Sequence, residues 1–141
     1  SELLTIERYS HVMHLVSNII GVLHPKWDAI DLIRAMFPGG TITGCPKVRC
    51  MEIIEELEPL RRSLFYGSCG YLDWRGNLDL NILIRTLLFS TPSTHQHLAS
   101  RLSHVWGQVG AGIVADSNPE LEWYESLQKA KAQLLALGLL H

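Results

Sequence analysis

The chain has 141 residues, of which 47% are hydrophobic, with a formal net charge of −2 and three cysteines. This length suits one domain, and the nearly balanced charge excludes strong steering toward nucleic acid or an anionic membrane. No apolar stretch approaches the ~20 residues that span a bilayer, and an odd cysteine count argues against a secreted disulfide framework. We therefore expect a reducing compartment, either the cytoplasm or an organelle stroma.

The first part of the chain predicts a strand and then a helix. Residues 9–23 are rich in valine and isoleucine and lack a helix cap, which favours an interior strand covered on both faces. A helix is the alternative, because the apolar residues also fit helical spacing. Asp28 to Phe37 predicts a short helix that ends at Pro38.

A glycine-rich loop follows, from Pro38 to Lys47. Its glycines allow a positive φ and a close approach of the backbone to a ligand, and Thr41 and Thr43 add hydroxyl groups. The next helix is predicted over residues 46–57, and its free N–H groups would face an anion. The loop is therefore either an anion-binding loop or a tight turn before an ordinary helix. The predicted buried stripe of that helix consists of Cys50, Met51, Ile54 and Leu57.

The middle of the chain predicts antiparallel strands. Phe65–Trp74 and Leu78–Ser90 are predicted strands, and the turn Arg75–Asn77 joins them into a hairpin. Residues 91–97 form a polar connection. Leu98–Ala115 is a third predicted strand with glycines near its end.

The last helix has strong start and stop signals. Residues 117–120 supply a capping side chain, an early proline and an early glutamate. The helix is predicted to run to about Leu137, with Gly138 as its C-terminal cap. The order of elements predicts an α+β fold, in which antiparallel strands pack with helices, rather than regular βαβ winding.

Three charged side chains share one face of this last helix. Glu122, Glu125 and Lys129 are spaced by three and four residues. Adjacent carboxylates repel unless a cation lies near them, and Mg²⁺ takes carboxylate oxygens together with water or substrate oxygens. The residues alone leave two interpretations: a metal site, or an exposed Glu125–Lys129 ion pair worth only ~0.3–0.5 kcal/mol.

Three other sites are candidates for a functional role. For two of them the residues alone leave two interpretations, and for the third they favour a structural role. Arg85 ends an apolar run, where its guanidinium needs an anion, either a ligand carboxylate or an acid such as Asp79 or Glu55. The backbone N–H groups of Gly110–Gly112 could bind a carboxylate, or the glycines could mark a bulge or a close strand crossing. His14 lies in an apolar stretch, which by itself favours a hydrogen-bonded core histidine.

Several segments resemble, in the same order, the sequence of one known family. These segments are Val12–Ser17, Gly39–Pro59, Tyr66–Tyr71, Ile84–Thr86, Gly107–Ser117 and Glu122–Lys129. The chain resembles the chorismate-utilising enzymes, namely anthranilate synthase component I and aminodeoxychorismate synthase component I. The resemblance covers nearly the whole chain, and several motifs in order are far more specific than one glycine motif.

The resemblance implies a role for each candidate residue. It implies that His14 is a general acid at the departing ring hydroxyl and that Thr41 contacts the ring region of the substrate. It also implies that Glu125 binds Mg²⁺, with Glu122 in the second shell or in contact through water. The residues that it implies for substrate binding are Tyr71, Arg85, Lys129 and the backbone of Gly110, Ala111 and Gly112.

Two residues depart from the family pattern. Phe65 stands where anthranilate synthases usually have tyrosine, which removes one hydroxyl from the expected site. Cys45 replaces the usual alanine, and we expect this to be a packing substitution, because a buried cysteine behaves as a small hydrophobic residue.

The family protein is much longer, so the resemblance implies that residues 1–141 are the C-terminal fragment of a chorismate-binding catalytic domain. The absent N-terminal half would supply a further acidic metal ligand and, in the aminodeoxychorismate type, a lysine nucleophile. With that half, Mg²⁺ and ammonia from a glutamine amidotransferase, the implied reaction is amination of chorismate. No nucleic acid or membrane partner is expected.

The specific product has more than one interpretation. Gly39 and Gly40 before Thr41, the Ile42–Thr43 pair and the segment Gly67–Tyr71 favour aminodeoxychorismate synthase, on the route to p-aminobenzoate and folate. Anthranilate synthase, on the route to tryptophan, is the alternative. A third hypothesis is a fragment without catalysis that acts as an assembling or interaction piece.

Overall fold

The structure is a computed structural model that describes residues 3–9, 13–90 and 104–139. Its strands are β1 (Thr5–Arg8), β2 (Met13–Val16), β3 (Ser68–Leu72), β4 (Leu78–Ile82), β5 (Leu87–Ser90) and β6 (His104–Gly107). Its helices are α1 (Ala29–Met36), α2 (Gly40–Thr43), α3 (Lys47–Leu57) and α4 (Pro119–Ala136). The chain divides into two compact units, Ser1–Ala35 and Met36–His141. None of the described helices is both long and apolar enough to cross a membrane.

In the first unit, β1 and β2 form an antiparallel pair in which Thr5 lies opposite Val16. The predicted strand over residues 9–23 is therefore confirmed only for β2, because residues 17–24 form neither strand nor helix and residues 10–12 lie outside the described part. Helix α1 follows Asp28, whose Oδ1 accepts hydrogen bonds from the backbone N–H groups of Ile30 and Asp31 at 2.8 and 3.0 Å. This cap satisfies donors that the first helical turn leaves free, and it confirms the predicted helix.

The second unit begins with the glycine loop, which contains the short helix α2. Gly44 ends that helix with a φ of 90°, a conformation that side-chain-bearing residues rarely adopt. Helix α3 then begins after Pro46 and ends at Leu57, as predicted to within one residue. The predicted buried stripe on α3 is wrong, however. Leu57 is 72% exposed and Met51 is 39% exposed, while Cys50 and Ile54 are only half-buried.

The predicted hairpin is confirmed in β3 and β4, which pair antiparallel from Ser68 opposite Ile82 to Leu72 opposite Leu78. Its turn is held by Asp73, whose carboxylate accepts hydrogen bonds from the backbone and side chain of Asn77 at 3.0 and 2.8 Å. These hydrogen bonds, led by the Asn77 side chain, lower the pKa of Asp73. An aspartate that bonds its own turn is typical of such connections.

Two strand predictions need correction, because the chain bends where an extended strand was expected. The predicted strand Leu78–Ser90 is two strands, since Arg85 has a φ of 51° and breaks the extended backbone. As a result β5 pairs with β6, not with β3. The predicted strand Leu98–Ala115 ends at Gly107, opposite Leu87, where a glycine-rich segment weakens further pairing. Residues 91–103 lie outside the described part.

Helix α4 confirms the last prediction. Asn118 caps it, and its side-chain oxygen accepts hydrogen bonds from the N–H groups of Glu120 and Leu121 at 3.0 and 3.2 Å. Pro119 occupies the first turn, and Gly138 follows the helix with a φ of 69°. The combination of helices and antiparallel strand pairs is an α+β fold, as expected.

The described residues bury almost nothing. None of their hydrophobic side chains is buried, and the two buried side chains are both polar, Ser126 and Gln133. Large apolar side chains such as Ile19 and Trp74 are more than 90% exposed. Monomeric proteins rarely expose this much apolar surface, so these faces are of the kind that pack against other protein.

Candidate functional site

The start of α4 fixes the first of the candidate carboxylates. Ser117 donates a hydrogen bond from its hydroxyl to Oε1 of Glu122 at 2.7 Å, and its Oγ accepts one from the N–H of Val114 at 3.0 Å. Glu122 is half-buried and lies in the first turn of the helix, where a negative charge is stabilised by the helix dipole. The chain segment before α4 therefore holds this carboxylate in one position.

One turn further along α4, Glu125 and Lys129 form an ion pair. The distance between Lys129 Nζ and Glu125 Oε1 is 2.6 Å. Lys129 also donates a hydrogen bond to the carbonyl oxygen of Gly110 at 3.2 Å. The ammonium group thus ties the acidic face of the helix to the glycine segment that follows β6. This contact brings together Glu125, Lys129 and Gly110, three of the residues predicted from the sequence.

The two glutamates suit a hard cation by their chemistry. Each of the contacts described above uses Oε1 of its glutamate, and carboxylate oxygens are the ligands that Mg²⁺ takes, usually one or two with water completing the shell. Within the described ranges no group of three or more histidine, cysteine, aspartate or glutamate side chains could hold a metal ion. Among the described residues, Glu122 and Glu125 are thus not joined by a third side chain of these types.

Tyr66, which is not among the candidate residues predicted from the sequence, also lies against the glycine segment. A Cβ atom added to Gly110 would lie 3.1 Å from the Tyr66 hydroxyl, so this hydroxyl approaches the backbone because residue 110 is glycine. Gly112, in contrast, has open space where a side chain would start. Ala111 is half-buried between them. Residues 108–114 form no strand, which leaves their backbone groups outside the sheet ladder.

A hydrogen bond from α4 reaches the segment that contains Arg85. Gln133, one turn beyond Lys129, donates from Nε2 to the carbonyl oxygen of Thr86 at 3.1 Å. Its side chain is only 8% exposed, and it also borders Gly107, where an added Cβ would lie 3.5 Å from the same nitrogen. Arg85 itself is half-buried in its left-handed conformation. Gln133 therefore fixes the bend at which Arg85 is presented, a role that only the three-dimensional arrangement reveals.

The glycine loop is closed by its own groups. Thr43 donates its hydroxyl to the carbonyl oxygens of Gly39 and Gly44 at 3.4 and 3.2 Å. Lys47 donates to the carbonyl oxygens of Met36 and Phe37, both at 3.4 Å. Thr41 lies in α2 with an exposed side chain. The tight turn and the helix start are thus both present, and the anion-binding role of the loop stays a prediction.

His14 lies in the first unit, on β2 opposite Glu7. Its ring is half-buried and meets the ring of Tyr9 edge-on at 5.7 Å. Tyr9 donates to Glu7 at 2.8 Å, and this hydrogen bond raises the pKa of the tyrosine. The expectation of a core histidine on residues alone is wrong, because this strand pair has no buried side chain. The acid role of His14 stays a prediction.

Tyr71 lies on the β3–β4 hairpin opposite Asp79, and 60% of it is exposed. The site in the second unit that the contacts support therefore consists of one face of α4, the segment after β6, Tyr66 and the bend at Arg85. Tyr71 and Thr41 are on other elements of the same unit.

The chain is similar in sequence to a known enzyme family and to several of its members. Residues 1–135 match the model of a chorismate binding enzyme family. The chain is 70% identical over 136 residues to an anthranilate synthase component I-like protein of Synechocystis, covering 96% of the chain and 26% of that protein. It is 50% identical over 139 residues to aminodeoxychorismate synthase component 1 of Bacillus subtilis, covering 99% of the chain and 27% of that protein.

A solved structure supports the same assignment. The crystal structure of anthranilate synthase component I from Streptococcus pneumoniae superposes with a TM-score of 0.72 at 34% identity, covering 94% of the chain and 28% of that protein. The chain thus spans about a quarter of the length of these relatives. The family match over residues 1–135 and the shared fold lead to one conclusion: the chain belongs to the chorismate binding enzyme family.

Proposed function

We propose that this chain is the C-terminal segment of a cytoplasmic, Mg²⁺-dependent synthase that aminates chorismate with ammonia from a glutamine amidotransferase partner. The observation that carries the proposal is the contact of Glu125, Lys129 and Gly110. This contact joins the carboxylate face of α4 to a glycine segment whose backbone lies outside the sheet ladder. Such a pair of elements suits a dianionic substrate that is bound together with a cation.

In this proposal the chain's own residues divide the work. Arg85 and the backbone of Gly110–Gly112 bind carboxylate groups of the substrate, and Lys129 supplies a positive charge beside them. His14 gives a proton to the departing ring hydroxyl, so that water leaves as the C–N bond forms. Thr41 and Tyr71 contact the ring region. Glu122 and Glu125 would hold Mg²⁺, which supplies charge neutralisation and orientation when it is bound.

For the product we propose 4-amino-4-deoxychorismate. The support is the loop sequence, in which Gly39 and Gly40 precede Thr41 and Ile42–Thr43 follow it. Anthranilate is the second candidate, because the Synechocystis relative at 70% identity is an anthranilate synthase component I-like protein. The two products differ in one measurable way. Formation of anthranilate expels pyruvate, whereas formation of aminodeoxychorismate retains the enolpyruvyl group.

The test is an assay of the full-length synthase that contains this chain, with chorismate, ammonia and Mg²⁺. We expect chorismate to be consumed without release of pyruvate. Chromatography then identifies the aminated product. Pyruvate in a one-to-one ratio with chorismate consumed would replace this proposal with anthranilate synthase. Absence of any consumption, under conditions in which a relative of known activity turns over, would leave the third hypothesis, an assembling piece without catalysis.

We predict that Arg85→Lys in the full-length synthase weakens chorismate binding by roughly 10- to 100-fold. Lysine keeps the charge but loses the planar pair of donors that a carboxylate accepts, which is worth about 1–3 kcal/mol. Lysine also tolerates the φ of 51° no better and no worse than arginine, so the comparison isolates the head group. Affinity is measured by calorimetry with chorismate and Mg²⁺.

The matched control for that prediction is Arg34→Lys, on α1, because the side chain of Arg34 is 78% exposed. It should leave affinity unchanged. Unchanged affinity in Arg85→Lys together with a lower melting temperature would instead assign Arg85 to an internal ion pair.

A further inference from the structure

The side chain of Tyr66 is held in one position by its surroundings. Its backbone has a φ of 63°, and its N–H donates to the carbonyl oxygen of Leu83 at 3.0 Å. Its ring stacks on Phe65 with centroids 3.9 Å apart, and the guanidinium of Arg62 lies 5.1 Å from its centroid. A left-handed tyrosine costs free energy, and such strain persists only where the surroundings over-determine it.

Arg62 is itself anchored, which makes the support of Tyr66 rigid. It donates to both carboxylate oxygens of Glu58 and, at 3.2 Å, to the carbonyl oxygen of Ile42 in α2. The hydrogen bond with Glu58 raises the pKa of Arg62, so the guanidinium stays charged beneath the ring. The ring of Tyr66 is therefore packed through its faces, and these contacts do not use its hydroxyl.

The hydroxyl of Tyr66 lies beside the glycine segment that follows β6. It lies 3.1 Å from the point where a Cβ of Gly110 would stand, and Lys129 donates to the carbonyl of the same glycine. A tyrosine hydroxyl can donate one hydrogen bond. Phe65, the other ring of the stacked pair, has no hydroxyl, so Tyr66 alone of the two can offer a donor.

We propose that Tyr66 is a further substrate-binding residue, whose hydroxyl donates a hydrogen bond to the substrate carboxylate bound at the backbone of Gly110–Gly112. The inference rests on the proposed function, since it needs a carboxylate at that segment. The donor set for this carboxylate then comprises a phenol, backbone N–H groups and the ammonium of Lys129 nearby.

The test is Tyr66→Phe in the full-length synthase, because this change removes only the hydroxyl and keeps the ring contacts with Phe65 and Arg62. We expect KM for chorismate to rise about tenfold, the effect of losing one hydrogen bond to a charged group, while kcat stays unchanged. Measurements are made well below the melting temperature, so that a shift in stability does not enter KM. Tyr124→Phe is the matched control, since Tyr124 is 55% exposed on α4.

Each outcome of this test either supports or overturns the binding role of Tyr66, and the outcomes separate it from the proposed function. A rise in KM confined to Tyr66→Phe supports the binding role. An unchanged KM in an active enzyme, or a fall in kcat alone, overturns it and leaves the proposed function intact. If the unmodified synthase does not consume chorismate at all, the proposed function fails first, and the role of Tyr66 fails with it.

Discussion

Replacing Glu125 by glutamine should remove most of the Mg²⁺-dependent turnover of the full-length synthase. The change keeps the size of the side chain but removes the negative charge that a hard divalent cation needs. Loss of an outer partner of a metal ligand costs 10- to 100-fold, so loss of a ligand itself should reduce kcat/KM by at least roughly 100-fold. The measurement is turnover of chorismate with ammonia across a titration of MgCl₂.

Stability separates this role from that of a simple ion pair. Glu125 is 2.6 Å from Lys129 across one helical turn, and the side chain of Glu125 is 53% exposed. An exposed pair of this kind contributes only about 0.3–0.5 kcal/mol, so the melting temperature of Glu125→Gln should hardly change. Glu120→Gln, in the first turn of the same helix, is the control and should keep full activity. An unchanged metal dependence in Glu125→Gln would show that the glutamate only pairs with Lys129.

The isolated chain should associate in solution and turn over no chorismate. None of its described hydrophobic side chains is buried, and Leu57, Leu60 and Trp106 are among many that are more than 60% exposed. Apolar surface on this scale is rarely left open to water, so copies should pack against one another or against other protein. Multi-angle light scattering of purified residues 1–141 at several concentrations measures the association.

Catalysis by the isolated chain should fail for a separate reason. Two carboxylates from one helix leave Mg²⁺ with most of its water, and binding should be weak without further oxygen ligands. The same assay on the full-length synthase is the control. A monodisperse monomer of residues 1–141 with substantial turnover would contradict both expectations and would locate a complete active site within this chain.

Local signals were enough to predict several elements of the fold. The cap at Asn118, the proline after it and Gly138 delimit α4, and the turn chemistry of residues 73–77 delimits the hairpin. These features are encoded within a few residues, because caps and turns satisfy backbone groups with nearby side chains. The strand break at Arg85 was not predictable in this way. An arginine with positive φ carries no local signal, and the bend is tied to Gln133, 47 positions away from the Thr86 carbonyl that it binds.

In the candidate site, too, local sequence signals predict some features, whereas others depend on contacts between distant segments. Spacing put Glu122, Glu125 and Lys129 on one helical face, but it could not show that Lys129 binds the carbonyl of Gly110. The buried stripe expected on α3 failed because periodicity reports which side of a helix is apolar, not whether anything covers that side. No local signal marks Tyr66, because its approach to Gly110 depends on the packing of separate segments.

The open apolar faces also determine how the isolated chain should unfold. The heat-capacity increment of unfolding and the denaturant m-value both scale with the surface that becomes exposed. At concentrations too low for association, a chain whose described hydrophobic side chains already meet water has little left to expose. Its melting should then be broad, with a small heat-capacity increment and a shallow dependence on urea. The sharp transition of a cooperative domain would then belong to the full-length protein, and this segment would acquire its cooperativity only when it packs against the remainder.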